Sequence, residues 1–253
     1  MQNWKTSRIE RIVTSEGLQN LQSLFCAGEM SNKSIGEKMA RFEIIIKKVD
    51  IQYIKEHFTD LLAMLYPERR ERVKAFRREE PAYVSMTAGL LLQELVQNRL
   101  GISPSELELE KSECGKPSVK GHSDFYFNLS HAGDYVVLGH GDAPIGVDIE
   151  RIREKNEKVA KRCFTEQEYA YVLGGDEDTQ RSRFYRFWTM KEAYLKLTGQ
   201  GISVPLNSFE IDPVRQIVIG TECRFVTKQM DDYWITLCAQ DTDGDLNVRA
   251  LLV

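Results

Sequence analysis

The order of predicted elements along this chain limits its fold more than any other feature. Patterns typical of helices are followed by patterns typical of strands twice, first over residues 42–140 and again over 145–253. We therefore predict an α+β fold of two pseudo-symmetric lobes, each a helix packed on a mostly antiparallel sheet. We place an N-terminal extension at residues 1–40, the first lobe at 41–143 and the second at 144–253. The cleft between the lobes is the expected ligand site.

The first lobe should begin with a strand, because residues 42–49 are a β-branched run. Apolar residues at helical spacing follow, and Pro67 suits the first turn of a further helix. A long apolar helix over residues 82–100 should end at Gly101. Three short strands are predicted after it, at 107–110, 125–129 and 135–138.

The second lobe should also begin with a strand, over residues 145–149. Thr165 and Glu168 have the spacing of a capping box, so a helix should start there and end near Gly174. Another helix is predicted over 187–197, with its end near Gly199. The remaining chain predicts strands at 208–211, 217–219, 224–227, 234–239 and 247–252.

Composition narrows the class of protein. The chain has 253 residues, 42% of them hydrophobic, and its formal charge is -4 from 34 basic and 38 acidic side chains. These values indicate a soluble globule and argue against wholesale nucleic-acid binding. The N-terminus lacks the apolar core of a signal peptide, and no run reaches the length of a membrane span. We expect a cytoplasmic protein with no membrane partner.

The five cysteines are scattered, and none has a cysteine or histidine partner at zinc-ligand spacing. They are Cys26, Cys114, Cys163, Cys223 and Cys238. We expect reduced thiols with no nucleophilic role.

Two acid-bearing segments are the strongest functional signal. In the first predicted strand of the second lobe, Asp148 and Glu150 are two residues apart and so share a face. In the predicted 187–197 helix, Trp188, Glu192 and Lys196 recur every fourth residue and share a face. Three converging carboxylates would repel one another unless a hard cation lay between them, and such oxygen clusters hold Mg²⁺ with substrate phosphates. This pattern favours metal-assisted chemistry on a phosphate ester.

Each segment also has a simpler interpretation. Asp148 and Glu150 could lie on the solvated face of an edge strand and pair with the arginines that follow. Glu192 and Lys196 have the order of an exposed helix pair, which contributes about 0.2–0.5 kcal/mol. The adjacent Trp188 favours the functional interpretation, because a tryptophan gains little on a fully solvated face.

Other polar residues are ambiguous when taken alone. Ser130 and His131 end a predicted strand, where they could bind a phosphate or satisfy backbone groups of the turn. Lys116 lies in a constrained loop, and Arg69 and Arg72 lie in a basic helix. Such cations are usually solvated, and they gain a role only if a polyanion lies nearby.

Four segments, taken in order, resemble the motif series of the 4′-phosphopantetheinyl transferases. They are Gly-Lys-Pro at 115–117, Phe-Asn-Leu-Ser-His at 127–131, Gly-Val-Asp-Ile-Glu at 146–150 and Trp-Thr-Met-Lys-Glu-Ala-Tyr-Leu-Lys at 188–196. The resemblance extends from about residue 42 to the C-terminus and is closest to the longer single-chain type, which serves non-ribosomal peptide and polyketide synthases. The 1–40 extension has no counterpart in the compact family pattern, so its role stays open.

The resemblance implies a monomer that holds coenzyme A and Mg²⁺, or Mn²⁺, in the cleft. Asp148, Glu150 and Glu192 would bind the metal, and Glu150, Glu192 and Lys196 would be catalytic. The residues expected to contact coenzyme A are Arg69, Arg72, Ser85, Lys116, Pro117, Ser130, His131, Lys191 and Lys196. Arginine at 69 and 72, where the family prototype has lysine, would still bind the 3′-phosphate.

The implied reaction moves the phosphopantetheine arm of coenzyme A to a serine hydroxyl on an acyl or peptidyl carrier protein and releases adenosine 3′,5′-bisphosphate. Glu150 or Glu192, directly or through a metal-bound water, would accept the serine proton, and Lys196 would stabilise or protonate the departing phosphate oxygen. An exposed apolar patch near Phe164 and Tyr169 is the expected carrier contact.

Two other functions remain open on the residues alone. A Mg²⁺-dependent hydrolase of nucleotide phosphates would use the same carboxylates and lysine. A non-enzymatic module that binds coenzyme A or a carrier protein is the second alternative, although it would have little need for a complete set of metal ligands.

Overall fold

The computed structural model describes residues 41–240 and 246–253. The first half of the described chain forms a strand, four helices and four further strands. In chain order these are β1 (Phe42–Lys48), α1 (Ile51–Glu56), α2 (Phe58–Met64), α3 (Pro67–Lys74), α4 (Glu79–Leu100), β2 (Leu109–Lys111), β3 (Pro117–Val119), β4 (Tyr126–Ala132) and β5 (Tyr135–Gly141).

The second half repeats the use of helices and antiparallel strands. Its elements are β6 (Ile145–Arg151), α5 (Glu157–Cys163), α6 (Glu166–Leu173), α7 (Glu177–Thr198), two short 3-10 helices (Gly201–Ser203 and Leu206–Ser208), β7 (Ile211–Asp212), β8 (Ile217–Val218), β9 (Cys223–Met230), β10 (Tyr233–Gln240) and β11 (Val248–Leu252).

Two sheets pack face to face, and helices cover the outer side of each. The first sheet has the strand order β11-β1-β5-β4 and the second has the order β6-β10-β9-β8-β7. The strands β2 and β3 form a separate hairpin. Helix α4 packs on the outside of the first sheet, and α7 packs on the outside of the second. The predicted α+β fold with two similarly built lobes is confirmed.

Alternation along the strands explains this layering. In β1, Phe42, Ile44 and Ile46 are buried between the sheets, whereas Ile45 packs toward the helices of the first lobe. In β6, Ile145, Val147 and Ile149 enter the same inter-sheet core. Successive side chains of a strand point to opposite faces, so each sheet supplies one apolar face to the centre and the other to its helices.

The last strand of the chain crosses to the first sheet. Strand β11 pairs in parallel with β1, in the register Phe42 to Val248 and Ile46 to Leu252. Strand β11 therefore belongs to the sheet of the first lobe, whereas the predicted division placed all of 144–253 in the second lobe. Pairing with β11 satisfies main-chain groups on one edge of β1, which would otherwise need another partner.

Several helix boundaries follow local signals. Gly101 adopts a left-handed φ of 73° directly after α4, and Thr165 and Glu168 form the predicted capping box of α6. Helix α7, in contrast, begins at Glu177, ten residues before the predicted start at 187. The side chain of Asp176 caps it by accepting from the backbone N–H of Thr179 at 2.8 Å.

In the described parts of the chain, no helix is both long enough and apolar enough to cross a membrane.

Candidate active site

The candidate site lies where the two sheets meet at their edges. Strand β4 ends the first sheet, β6 ends the second, and the two strands contact each other. The side chain of Asn128 on β4 joins them, because its Oδ1 accepts from the backbone N–H of Val147 at 2.9 Å. Polar residues on these two strands are therefore held together across the seam between the lobes.

Helix α7 lies directly on β6, and Gly146 makes this approach possible. A Cβ atom at position 146 would lie 2.0 Å from the carbonyl oxygen of Ala193 and 2.4 Å from the backbone nitrogen of Leu197. Only glycine leaves room for such a close contact. The helix residues Glu192 and Lys196 are thereby brought over the strand that carries Asp148.

Asp148, Ser130 and Lys196 form a compact polar cluster from three different elements. Ser130 Oγ donates to Asp148 Oδ1 at 2.7 Å, and Lys196 Nζ lies 2.6 Å from the same oxygen and 2.8 Å from Ser130 Oγ. Asp148 is only 3% exposed, and its second oxygen, Oδ2, is buried with no hydrogen-bond partner among the described residues. A buried carboxylate oxygen without a donor is costly unless a ligand satisfies it.

Glu150 and Glu192 share the electrostatic environment of Asp148. Burial, followed by the charge of Asp148, raises the pKa of Glu150 to about 7, and the nearby charge of Lys196 and a hydrogen bond from Trp188 act in the opposite direction. Burial and then Asp148 also raise the pKa of Glu192. The expected shared face of Asp148 and Glu150 thus brings their carboxylates close enough to repel each other.

These acids fit a divalent cation by their chemistry. Among residues 41–240 and 246–253, no three His, Cys, Asp or Glu side chains are arranged closely enough to form a preformed metal group. The unpartnered Asp148 Oδ2 and the two acids with raised pKa values are nevertheless hard oxygen donors in a half-buried place, which is the donor type that Mg²⁺ prefers.

Cations from the first lobe lie beside this cluster. Arg69 Nε donates to Tyr66 Oη at 3.0 Å, and an Arg69 Nη atom lies 3.4 Å from Ser85 Oγ. Partial burial, followed by the charges of Lys196 and Arg72, lowers the pKa of His131. Four of the residues predicted to bind coenzyme A, namely Arg69, Arg72, Ser85 and His131, are therefore grouped at one end of the seam.

Lys116 contacts main-chain oxygens. Its Nζ donates to the carbonyl of Leu197 at 2.9 Å and to that of Ile145 at 3.2 Å, and burial lowers its pKa to about 8. Pro117 is the first residue of β3 and is half-buried.

The structure does not support the predicted contact between Lys191 and coenzyme A. The ammonium of Lys191 is 2.8 Å from Glu168 Oε2 and donates to the carbonyls of Leu206 and Phe209, each at 2.7 Å. Both charged side chains are almost fully buried, with exposures of 0% and 1%. All three ammonium donors are used inside the second lobe, so Lys191 has a structural role.

The predicted apolar carrier patch is also only partly present. Phe164 is 3% exposed, and its ring contacts Phe184 and Phe187 in the core of the second lobe. It cannot contact a partner protein. Tyr169 is half-buried, and its hydroxyl donates to Glu157 at 2.9 Å.

Two residues that position the site were missed from the sequence. Asn128 and Gly146 both lie inside motif segments, at 127–131 and 146–150, and the alternation of β4 places Asn128 on the same face as Ser130. That spacing could have identified Asn128. The need for glycine at 146 could not be predicted, because it depends on a helix almost fifty residues later.

Comparison with known proteins supports one family. Residues 144–238 match the model of the 4′-phosphopantetheinyl transferase superfamily, and residues 52–141 match that of the 4′-phosphopantetheinyl transferase N-terminal region. The 4′-phosphopantetheinyl transferase Sfp of Bacillus subtilis is 30% identical over 190 residues, which cover 72% of this chain and 85% of that protein. The chain belongs to the 4′-phosphopantetheinyl transferase superfamily. The predictions of this family and of an enzyme are confirmed.

One further relative and one solved structure are similar to this chain to different degrees. A phosphopantetheinyl transferase of Thraustochytrium sp. is 35% identical over 217 residues, which cover 75% of each chain. Among solved structures, the holo-[acyl-carrier-protein] synthase of Thermotoga maritima matches 39% of this chain and 63% of its own, with 17% identity and a TM-score of 0.34.

Proposed function

We propose that this 4′-phosphopantetheinyl transferase moves the phosphopantetheine arm of coenzyme A to a serine hydroxyl on an acyl or peptidyl carrier protein. The serine Oγ–P bond forms, the pyrophosphate P–O bond to the nucleotide breaks, and adenosine 3′,5′-bisphosphate leaves. The observation that carries this proposal is the Asp148–Ser130–Lys196 cluster at the seam of the lobes, with a buried carboxylate oxygen that lacks a donor.

Asp148, Glu150 and Glu192 would hold the divalent cation, which we propose is Mg²⁺, with Mn²⁺ as a substitute. When bound, the cation would neutralise pyrophosphate oxygens and stabilise the charge that develops on the transferred phosphate. The pyrophosphate of coenzyme A would supply further oxygen ligands, as is usual for Mg²⁺ sites with few protein ligands.

The remaining chemistry belongs to side chains around the cluster. Glu150 or Glu192, directly or through a metal-bound water, would accept the proton of the attacking serine. Lys196 is held by Asp148 and Ser130 and is 29% exposed, so its ammonium can also meet the departing phosphate oxygen. Positioning and charge stabilisation would supply most of the rate acceleration.

Coenzyme A would lie along the seam with its nucleotide end toward the first lobe. The exposed guanidinium of Arg72, together with Arg69 and His131, offers cationic and hydrogen-bonding groups to the 3′-phosphate. Ser85 lies near Arg69 and can orient the guanidinium group of that arginine. Arginine pairs well with phosphate because two N–H groups can bind two oxygens at once.

The decisive experiment is incubation with coenzyme A, Mg²⁺ and a panel of apo-carrier proteins, followed by intact mass measurement. The carrier should gain the mass of the phosphopantetheine arm, and a carrier whose acceptor serine is replaced by alanine should not. A Glu192→Gln variant should lose the reaction, whereas Glu177→Gln, an exposed carboxylate on the same helix, should retain it.

Two other outcomes would replace the proposal. Consumption of coenzyme A without any gain of carrier mass would indicate a hydrolase, and binding without consumption would indicate a non-enzymatic module. Action as a monomer, location in the cytoplasm and the absence of a nucleic-acid partner remain predictions.

A further inference from the structure

Lys116 connects the two lobes at the back of the site. It ends a tight turn in which Lys116 N–H donates to Ser112 Oγ at 3.1 Å and the Ser112 N–H donates to the Lys116 carbonyl at 3.0 Å. Gly115, just before it, has a left-handed φ of 83°. The turn joins β2 to β3 and so holds the base of the Lys116 side chain in the first lobe.

The other end of the side chain reaches two elements of the second lobe. Nζ donates to the carbonyl of Leu197 in the last turn of α7 and to that of Ile145, the first residue of β6. The last carbonyls of a helix have no partner within the helix, and the negative end of the helix dipole also lies there. A half-buried ammonium satisfies one of these carbonyls and is stabilised by it.

Both contacted residues are close in sequence to residues of the proposed site. Leu197 follows Lys196, and Ile145 lies three residues before Asp148. Because Gly146 has no Cβ, the same turn of α7 can pack directly against β6. One ammonium thus joins the end of the helix that carries Lys196 to the start of the strand that carries Asp148.

We infer that Lys116 is a positioning residue, whose ammonium sets the distance between the end of α7 and the start of β6 and so aligns Lys196 with Asp148. This inference deepens the proposed transfer reaction and rests on it. It differs from the coenzyme A contact that the resemblance implies, because two of the three ammonium donors are used by main-chain oxygens of the second lobe.

The two roles of Lys116 predict opposite kinetic results. A lysine that binds a phosphate of coenzyme A raises KM when it is lost, whereas a positioning lysine lowers kcat because the reacting groups are misplaced. Lys116→Met removes the charge at similar length. Lys116→Arg keeps a cation that can donate to two carbonyls, and should restore much of the loss.

The experiment compares three full-length variants with the parent enzyme. We expect Lys116→Met to lower kcat by on the order of tenfold or more, with KM for coenzyme A and the Kd for adenosine 3′,5′-bisphosphate within about twofold. Lys120→Met, which changes an exposed lysine just after β3, should match the parent. Circular dichroism confirms that each variant is folded.

Hydrogen exchange supplies a measurement that does not depend on activity. In the parent, the Gly199 N–H donates to the Leu195 carbonyl at 3.0 Å, which should slow its exchange. Amide exchange in the 195–199 segment should be faster in Lys116→Met than in the parent, and close to the parent rate in Lys116→Arg. A large rise in KM or Kd with kcat unchanged would overturn the inference, as would unchanged exchange. Failure of the parent enzyme to transfer the arm would contradict the proposed function. The hydrogen-exchange comparison would still test whether Lys116 holds the end of α7 against β6, because it does not depend on activity.

Discussion

Replacement of Lys191 by methionine should destabilise the enzyme without weakening its binding of coenzyme A. Its ammonium is paired with the buried carboxylate of Glu168 and with the carbonyls of Leu206 and Phe209. Removing one member of a buried ion pair usually costs about 3–5 kcal/mol, because the other charge stays buried without its partner.

The structure places this variant toward the lower part of that range. Glu168 keeps two backbone donors after the change, from Thr165 at 2.9 Å and from Ile211 at 2.8 Å. These hydrogen bonds continue to stabilise the carboxylate. The two carbonyls lose their donor, however, so we expect Lys191→Met to lower the free energy of unfolding by about 3 kcal/mol.

Urea unfolding followed by far-ultraviolet circular dichroism measures this change. A double variant, Glu168→Gln with Lys191→Met, should be less destabilised than the sum of the two single variants, since the unpaired charge is gone. Lys158→Met, at an exposed lysine on α5, is the matched control and should be neutral. A loss below about 1 kcal/mol, or a tenfold weaker Kd for coenzyme A in the folded variant, would refute the structural role.

Three further predictions concern other parts of the site. Gly146→Ala should lower the free energy of unfolding by about 1–3 kcal/mol and reduce kcat, because the added methyl group would collide with the carbonyl of Ala193. Urea unfolding measures the loss of stability, and steady-state kinetics measure kcat. Ser130→Ala should lower kcat/KM by about tenfold, measured by transfer kinetics, because Asp148 loses a charge-assisted hydrogen bond. Burial lowers the pKa of Lys116 to about 8, whereas its value in the unfolded chain is about 10.5. Between about pH 8 and pH 10.5 the unfolded state therefore binds more protons than the folded state, so the free energy of unfolding rises with pH in this range. Lys116→Met should remove about 1–3 kcal/mol of that rise, measured by urea unfolding at about pH 7 and pH 10.

Local patterns were sufficient to predict the elements that carry the site. The alternation of residues 145–149 predicted β6, and the fourfold spacing of Trp188, Glu192 and Lys196 predicted their common helix face. These signals depend only on residues that are close in the chain, so they can be recognised without knowledge of the tertiary structure. They indicate which side chains share a face, and not what that face contacts.

The partners of individual side chains could not be predicted in this way. The hydrogen bonds from Ser130 and Lys196 to Asp148 span 18 and 48 residues, and the contact of Lys116 with Leu197 spans 81. Their formation depends on how the two sheets meet. The pairing of β11 with β1 is another long-range contact that no local pattern reports.

Lys191 shows that one available signal was overlooked. It lies four residues after Phe187 and four before Leu195, both of which are buried, so it falls within the apolar stripe of α7. A lysine at such a position needs a buried acid, and the capping-box residue Glu168 supplies one. Family resemblance alone gave this lysine a ligand-binding role.

Direct measurement of metal binding tests the central claim, that Asp148, Glu150 and Glu192 bind one divalent ion together with coenzyme A. Electron paramagnetic resonance of Mn²⁺, titrated in the presence of coenzyme A, should find one site in the parent enzyme and affinities at least about tenfold weaker in Asp148→Asn, Glu150→Gln and Glu192→Gln. The Glu177→Gln control on α7 should bind like the parent. Equal Mn²⁺ affinity in the parent and in all three site variants would contradict the account.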